Sequence, residues 1–151
     1  MQSLGFNYRL TDIQAALGLS QLDRLTKYVT LRNRLAERYD LLLADFPVTT
    51  PLQHEDCYSS RHLYVIRLNL DVIDKSRRDV FSYLREHGIG VQIHYIPVPS
   101  QPYYRELGFS SQDYPNGLSY YNEAISLPLF PTMTREEQDR VIAVLREILL
   151  P

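Results

Sequence analysis

One uninterrupted helical periodicity, running from Thr11 to just before Pro47, constrains this chain more than any other feature. Apolar residues recur at three- and four-residue spacing: Ile13, Ala16, Leu17, Leu22, Leu25, Val29, Leu35, Ala36, Tyr39, Leu42 and Leu43. That spacing is the signature of one helix face. Thr11 with Gln14 forms a capping box, and Asp12 in the first turn complements the helix dipole. Pro47 ends the run, because it lacks the N–H that would continue the helix. Such a helix is on the order of 50 Å long, which exceeds what a compact domain of this size needs. A helix with that reach links two structural units or lines a subunit interface. Gly18 marks a kink or a close approach near its start.

The rest of the chain alternates short elements. After a polar loop over 47–60, the run from Arg61 to Leu68 is rich in β-branched, aromatic and aliphatic residues and reads as a strand. Ser76 to His87 is helical by spacing, with Val80, Phe81 and Leu84 inward and Gly88 as its C-cap. Gly90 to Tyr95 reads as a second strand, with Val91 and Ile93 on one face and Gln92 and His94 on the other. Pro97, Pro99 and Pro102 then force an irregular, extended segment. A short helix over 101–107, a loop, a helix over 116–124 and a strand over 125–129 follow. Thr134 with Glu137 opens a terminal helix whose stripe is Val141, Ile142, Leu145, Ile148 and Leu149. Helices interleaved with few strands, without a repeated βαβ unit, indicate an α+β two-layer domain.

Composition excludes several function classes. Hydrophobic content of 44% and charged content of 23% are ordinary for a soluble globular protein. A net charge of −2 without a basic stripe offers no nucleic-acid footprint. No apolar run approaches the roughly 20 residues that span a bilayer. The lone cysteine, Cys57, excludes an internal disulfide and fits a reducing cytoplasm; in its polar loop it is incidental rather than nucleophilic. Twelve tyrosines and no tryptophan favour an aromatic-rich surface or cleft. Only Lys27 and Lys75 of the 16 basic residues are lysines. Arginine suits bidentate recognition of phosphate or carboxylate, although a GC-rich genome gives the same bias.

Two loops carry candidate chemistry. Gly5-Phe6-Asn7-Tyr8-Arg9 places an amide and a guanidinium at the start of the long helix, an arrangement suited to an anion and equally open to an ordinary loop. His94 stands in a strand-to-proline transition, where it either meets a ligand or is satisfied by water. His54, His62 and His87 share no metal-ligand spacing with it; the His54-Glu55-Asp56 run is a solvated loop, and His87 suits a helix C-terminus. No nucleophile elbow, Walker-type loop or dinucleotide fingerprint is present.

The run Gly5-Phe6-Asn7-Tyr8-Arg9-Leu10-Thr11-Asp12-Ile13-Gln14-Ala15-Ala16-Leu17-Gly18 resembles the opening signature of the DegT/DnrJ-type nucleotide-sugar aminotransferases. His62-Leu63-Tyr64, then Gly88-Ile89 with Gln92-Ile93-His94-Tyr95-Ile96-Pro97, then Ser126-Leu127-Pro128-Leu129-Phe130-Pro131 resemble further segments of that family in the same order. Gln101-Pro102-Tyr103-Tyr104 and the Val91-to-Tyr95 run look most like its pseudaminic acid branch; Pro99 stands where members often carry His, a departure that bears on the sugar.

This resemblance implies a fold-type I (aspartate aminotransferase-like) enzyme using pyridoxal 5′-phosphate (PLP). In it, residues 1–46 are an active-site loop and long linking helix, and residues 47–151 are the C-terminal small domain. It places the Schiff-base lysine upstream: neither Lys27 nor Lys75 has its context, so the chain holds no catalytic residue and is inactive alone, with Met1 reading as an internal methionine. It assigns Asn7 to the PLP phosphate of a neighbouring subunit in a homodimer. Arg9, Gln92, Ile93, His94 and Tyr95 are assigned to the substrate, a UDP-linked 4-keto-6-deoxy amino sugar, with glutamate as amino donor. The competing reading is a free-standing, non-catalytic domain that binds a nucleotide-sugar or a full-length aminotransferase; a related regulatory protein is a third.

Overall fold

The structure, a computed structural model, describes residues 8–150. Asn7, expected at the cofactor phosphate, lies outside the described residues. The long helix forms as its cap dictates: α1 spans Asp12–Leu42, with Gln14 N–H donating to Thr11 Oγ1 and Thr11 N–H donating to Gln14 Oε1. It ends at Leu42, five residues before Pro47, where Leu43, Ala44 and Phe46 N–H groups donate to the Tyr39, Leu41 and Leu43 carbonyls. Its 31 residues span roughly 46 Å.

The two halves of α1 differ. From Asn33 onward, Asn33, Ala36, Tyr39 and then Leu43 are buried at helical spacing. Residues 12–27 are exposed throughout. The predicted stripe residues Ile13, Leu17, Leu22 and Leu25 stand 83%, 61%, 61% and 52% exposed. Gly18 belongs to this free half: among the described residues nothing lies within 4 Å of where its Cβ would be, and the helix runs on through it without a close approach there.

A three-stranded antiparallel sheet, ordered β1-β2-β3, supports the other half. The strands are β1 (Val48–Thr49), β2 (Tyr64–Leu68) and β3 (Ala124–Leu127). β1 lies inside the stretch read as a polar loop; between Pro47 and Pro51 it has only two residues to pair, too few to leave a periodic signal. In β2, Tyr64, Ile66 and Leu68 are buried, alternating with half-buried Val65 and exposed Arg67. They pair with β3 so that Tyr64 faces Leu127 and Ile66 faces Ile125, which puts these four on one face of the sheet. That face joins the core with Tyr39 and Leu43 of α1, Val80 and Leu84 of α2 (Arg77–Glu86), and Val141, Leu145 and Leu149 of α5 (Arg135–Leu149). The architecture is the expected α+β two-layer arrangement.

Polar groups fasten α1 to this body. Arg32 Nη1 donates to the carbonyls of Arg61, His62 and Leu129 at 3.2, 3.0 and 2.9 Å. Asn33 Nδ2 donates to the Ser59 carbonyl at 2.9 Å. Fully buried Gln138 accepts from Arg38 and donates to the Leu35 carbonyl. Tyr64 donates to Asp40 and Tyr39 to the Pro128 carbonyl. Burial pushes both tyrosine hydroxyls well above the usual range, reinforced at Tyr64 by Asp40. Capping boxes at Ser76–Asp79 and Thr134–Glu137 start α2 and α5.

Candidate functional site

The second face of the sheet carries the polar residues. Register places Val65 opposite Ser126 and Arg67 opposite Ala124, on the side away from the helical core. Arg67 pairs with Glu123 at 2.7 Å, and Ser119 Oγ donates to the same carboxylate at 2.6 Å. The Ser119 hydroxyl first, and the Arg67 guanidinium after it, hold the Glu123 carboxyl below the usual glutamate range. Glu123 closes α4 (Pro115–Glu123), so this ion pair fixes the corner from which β3 starts.

The segment after α2 reaches this face by a tight turn. Gly88 takes φ +76°, a backbone region that side-chain-bearing residues rarely occupy. Ile89 N–H then donates to the Leu84 carbonyl, and Val91 N–H to the Ile89 carbonyl. The strand read over 90–95 shrinks accordingly to one bridge, Gln92 with Ser126. The Val91 donor is spent locally, and of the residues from Gln92 to Tyr95 only Gln92 exchanges backbone hydrogen bonds with β3. Val91 is buried, Gln92 and Tyr95 are exposed, and Ile93 and His94 are both half-buried, so the expected two-face alternation is lost beyond Gln92.

His94 is fixed by Ser126. Its Nδ1 lies 2.8 Å from Ser126 Oγ, and its ring meets the Tyr95 ring edge-on at 4.6 Å between centroids. The His94–Tyr95 peptide is cis. Ser126 carried no functional reading in the sequence, although its place between inward Ile125 and Leu127 put a hydroxyl on the outer face.

Beyond Tyr95 the proline-rich run folds as a short 3₁₀ turn (Val98–Ser100), α3 (Pro102–Glu106), a second 3₁₀ turn (Ser111–Asp113) and α4. Tyr95, Pro97, Val98, Tyr104, Phe109 and Tyr114 wall an apolar cleft of about 450 Å³. This is the aromatic cleft that the tyrosine content suggested. Phe109 also borders a smaller, polar cavity of about 220 Å³ lined by Arg105, Ser110 and Ser111. A flat ring suits the first cavity and an oxygen-rich group the second.

The structure therefore brings Gln92, Ile93, His94 and Tyr95 together and adds Ser126 to them. Arg9 is elsewhere: it is exposed just before α1, and the helix run from there to the first anchoring side chain, Arg32, is roughly 30 Å. Lys27 and Lys75 are exposed, and neither lines the cleft beside His94. Among the described residues, no cluster of three His, Cys, Asp or Glu side chains is placed to hold a metal ion, and no helix is long and apolar enough to cross a membrane.

The model of the DegT/DnrJ/EryC1/StrS aminotransferase family matches residues 1–146. The spore coat polysaccharide biosynthesis protein SpsC of Bacillus subtilis is 36% identical over 98% of the chain, which spans 39% of SpsC. PseC of Helicobacter pylori, an aminotransferase involved in the biosynthesis of pseudoaminic acid, superposes over 98% of the chain and 40% of its own length, with a TM-score of 0.86 and 29% identity. Spr1654 of Streptococcus pneumoniae in its PLP form superposes over 93% of the chain and 37% of its own, with a TM-score of 0.84 and 33% identity. The chain thus spans about two fifths of each relative. These solved structures are fold-type I aminotransferases, and the α+β unit seen here is a part of that fold.

Proposed function

The chain belongs to the DegT/DnrJ/EryC1/StrS aminotransferase family, and from that premise we propose that it forms the C-terminal part of a PLP-dependent nucleotide-sugar aminotransferase of the cytoplasm. The family match over residues 1–146 carries this reading. Within it, residues 1–46 are the loop and linking helix, and residues 47–151 are the small domain. Bound PLP supplies the electron sink that moves an amino group from a donor, glutamate, to a 4-keto sugar.

The residues described here fit only one side of such a site. No lysine stands in the cleft by His94, and both lysines of the chain are exposed elsewhere. On this reading covalent attachment of the cofactor depends on a lysine from outside the chain, and the chain alone is inactive. What it contributes is recognition. Gln92, Ile93, His94 and Tyr95 line the nucleotide-sugar, with the base against the aromatic cleft walls and oxygens toward Arg105 and the neighbouring serines. Asn7, and Arg9 just before α1, serve phosphates across a homodimer interface: Asn7 the cofactor phosphate, Arg9 the substrate diphosphate. The separation of Arg9 from the cleft supports this division, because one helix of that length presents its tip far from its own small domain. The sugar is a UDP-linked 4-keto-6-deoxy amino sugar of the pseudaminic acid type; the likeness to PseC supports it.

The test is turnover. The chain, and a polypeptide joining residue 1 to the part of SpsC that the chain does not span, are incubated with PLP, glutamate and a UDP-linked 4-keto-6-deoxy amino sugar. We expect 2-oxoglutarate from the joined polypeptide and none from the chain. Turnover by the chain alone would show the site complete. A joined polypeptide that folds and binds PLP without aminating any nucleotide-sugar would overturn the assignment.

A further inference from the structure

We infer that Ser126 is a positioning residue that locks neutral His94 in its Nε2–H tautomer, so that His94 meets a ligand as a hydrogen-bond donor and not as a base. The inference rests on the reading that His94 faces the nucleotide-sugar.

A separation of 2.8 Å between His94 Nδ1 and Ser126 Oγ fits either direction of donation. The surroundings of Ser126 decide it. Ser126 is 4% exposed. Its backbone is committed to Gln92, through Ser126 N–H to the Gln92 carbonyl at 2.8 Å and Gln92 N–H to the Ser126 carbonyl at 3.2 Å. Its hydroxyl has no polar partner among the described residues except His94 Nδ1. If Nδ1 carried the proton and donated it, the serine hydroxyl hydrogen would be buried with no acceptor. If the hydroxyl donates, Nδ1 accepts and every proton in the pair is used. The net value of a satisfied buried donor corresponds to a preference of roughly ten-fold or more for the second arrangement.

The neutral ring then carries its hydrogen on Nε2. That atom has no hydrogen-bond partner among the described residues, and it is absent from the buried atoms left unsatisfied, so solvent reaches it. His94 is half-buried, held by Ser126 at one nitrogen and by the edge-on Tyr95 ring at 4.6 Å. The only group it offers outward is an N–H. Such a group binds a hydroxyl, carbonyl or phosphoryl oxygen, all of which a nucleotide-sugar presents, and it cannot accept a proton while neutral. In this arrangement His94 recognises the substrate and moves no proton.

The test is long-range 1H–15N NMR of the histidine-labelled chain at a pH where His94 is neutral, with His94→Gln identifying its signals. We expect a pyridine-like Nδ1 and a pyrrole-like Nε2 in the native chain, a loss of that preference by about ten-fold in Ser126→Ala, and its return in Ser126→Thr. A pyrrole-like Nδ1, or an unchanged ratio in Ser126→Ala, would overturn the proposal. If Ser126→Ala does not fold, the native spectrum alone decides. UDP-N-acetylglucosamine added to the native chain is expected to shift the Nε2 resonance. A locked tautomer that this probe leaves unmoved would remove His94 from the ligand site while leaving the tautomer assignment standing. Affinity is the poorer readout, since unlocking the ring lowers only the competent fraction and weakens binding by about two-fold at most.

Discussion

Replacing Arg32 with methionine tests how the long helix is held to the body. The methionine keeps an apolar stem of similar reach, so the loss is confined to hydrogen bonds. Arg32 Nη1 lies within 3.2 Å of three carbonyls, those of Arg61, His62 and Leu129. One Nη1 carries two hydrogens, so the three contacts amount to two full bonds at most. Bonds from a charged donor contribute about 1.5–3 kcal/mol each when buried. The His62 contact is exposed, and water replaces it at little cost, whereas those to Arg61 and Leu129 are part-buried. The expected destabilisation is therefore about 2–4 kcal/mol, a large share of the roughly 5–15 kcal/mol available to a domain. Urea unfolding followed by far-UV circular dichroism reads it. The midpoint should fall by about 1–2 M at unchanged slope. Arg32→Lys should recover part of the loss, since a compact ammonium reaches fewer of the carbonyls. A midpoint for Arg32→Met within experimental scatter of the native chain would refute the reasoning, and α1 would then be held by its apolar packing at Ala36, Tyr39 and Leu43 and by its other polar contacts.

Three further predictions concern α1 and Glu123. Amides of residues 16–27 should exchange with deuterium far faster than those of residues 33–42, because the first half of α1 has no packing to support it and isolated helices of that length are marginal; equal protection along α1 would show that its exposed apolar residues are covered in solution. Leu17→Glu with Leu22→Glu should abolish any concentration-dependent sedimentation of the chain, since both leucines are exposed apolar surface; self-association that persists in the double variant would place the contact elsewhere. The Glu123 carboxyl is lower in the folded state than the ordinary glutamate value, so its ion pair stabilises at pH above that value and the stabilisation is lost as pH falls through the folded value. Glu123→Gln should be less stable than the native chain at neutral pH and converge with it in acid, in paired thermal melts; a pH-independent difference would show that the carboxylate is not held by Arg67 and Ser119.

What could be read in the sequence was what local chemistry determines. Thr11 with Gln14 and Thr134 with Glu137 announced two helix starts, and the apolar spacing of 141–149 announced which face of α5 is buried. The Ser76–Asp79 box went unread, because Asp stands where Glu or Gln is usual. Periodicity said that Ile13, Leu17, Leu22 and Leu25 share the character of a packed face, but it carries no information on what packs there, and these four stand exposed. Gly90–Tyr95 has the composition of a strand, yet composition does not fix a partner: the chain turns at Gly88, and of this run only Gln92 bridges β3. His94 was legible as a candidate. Ser126 was not, since its role depends on a strand register set some thirty residues away in sequence. The tyrosines pointed to an aromatic cleft, and only the folded chain shows that it opens next to Tyr95. The family was readable from short motifs at fixed order.

On the proposed function this chain supplies one side of a cofactor and nucleotide-sugar site and lacks the group that binds the cofactor covalently. The visible absorption spectrum after PLP is added and excess removed by gel filtration tests this most directly. No retained band is expected on the chain alone, and a retained, borohydride-sensitive band once the chain is joined to the part of SpsC it does not span. A retained band on the chain alone that disappears in Lys27→Ala or Lys75→Ala would contradict the proposed function.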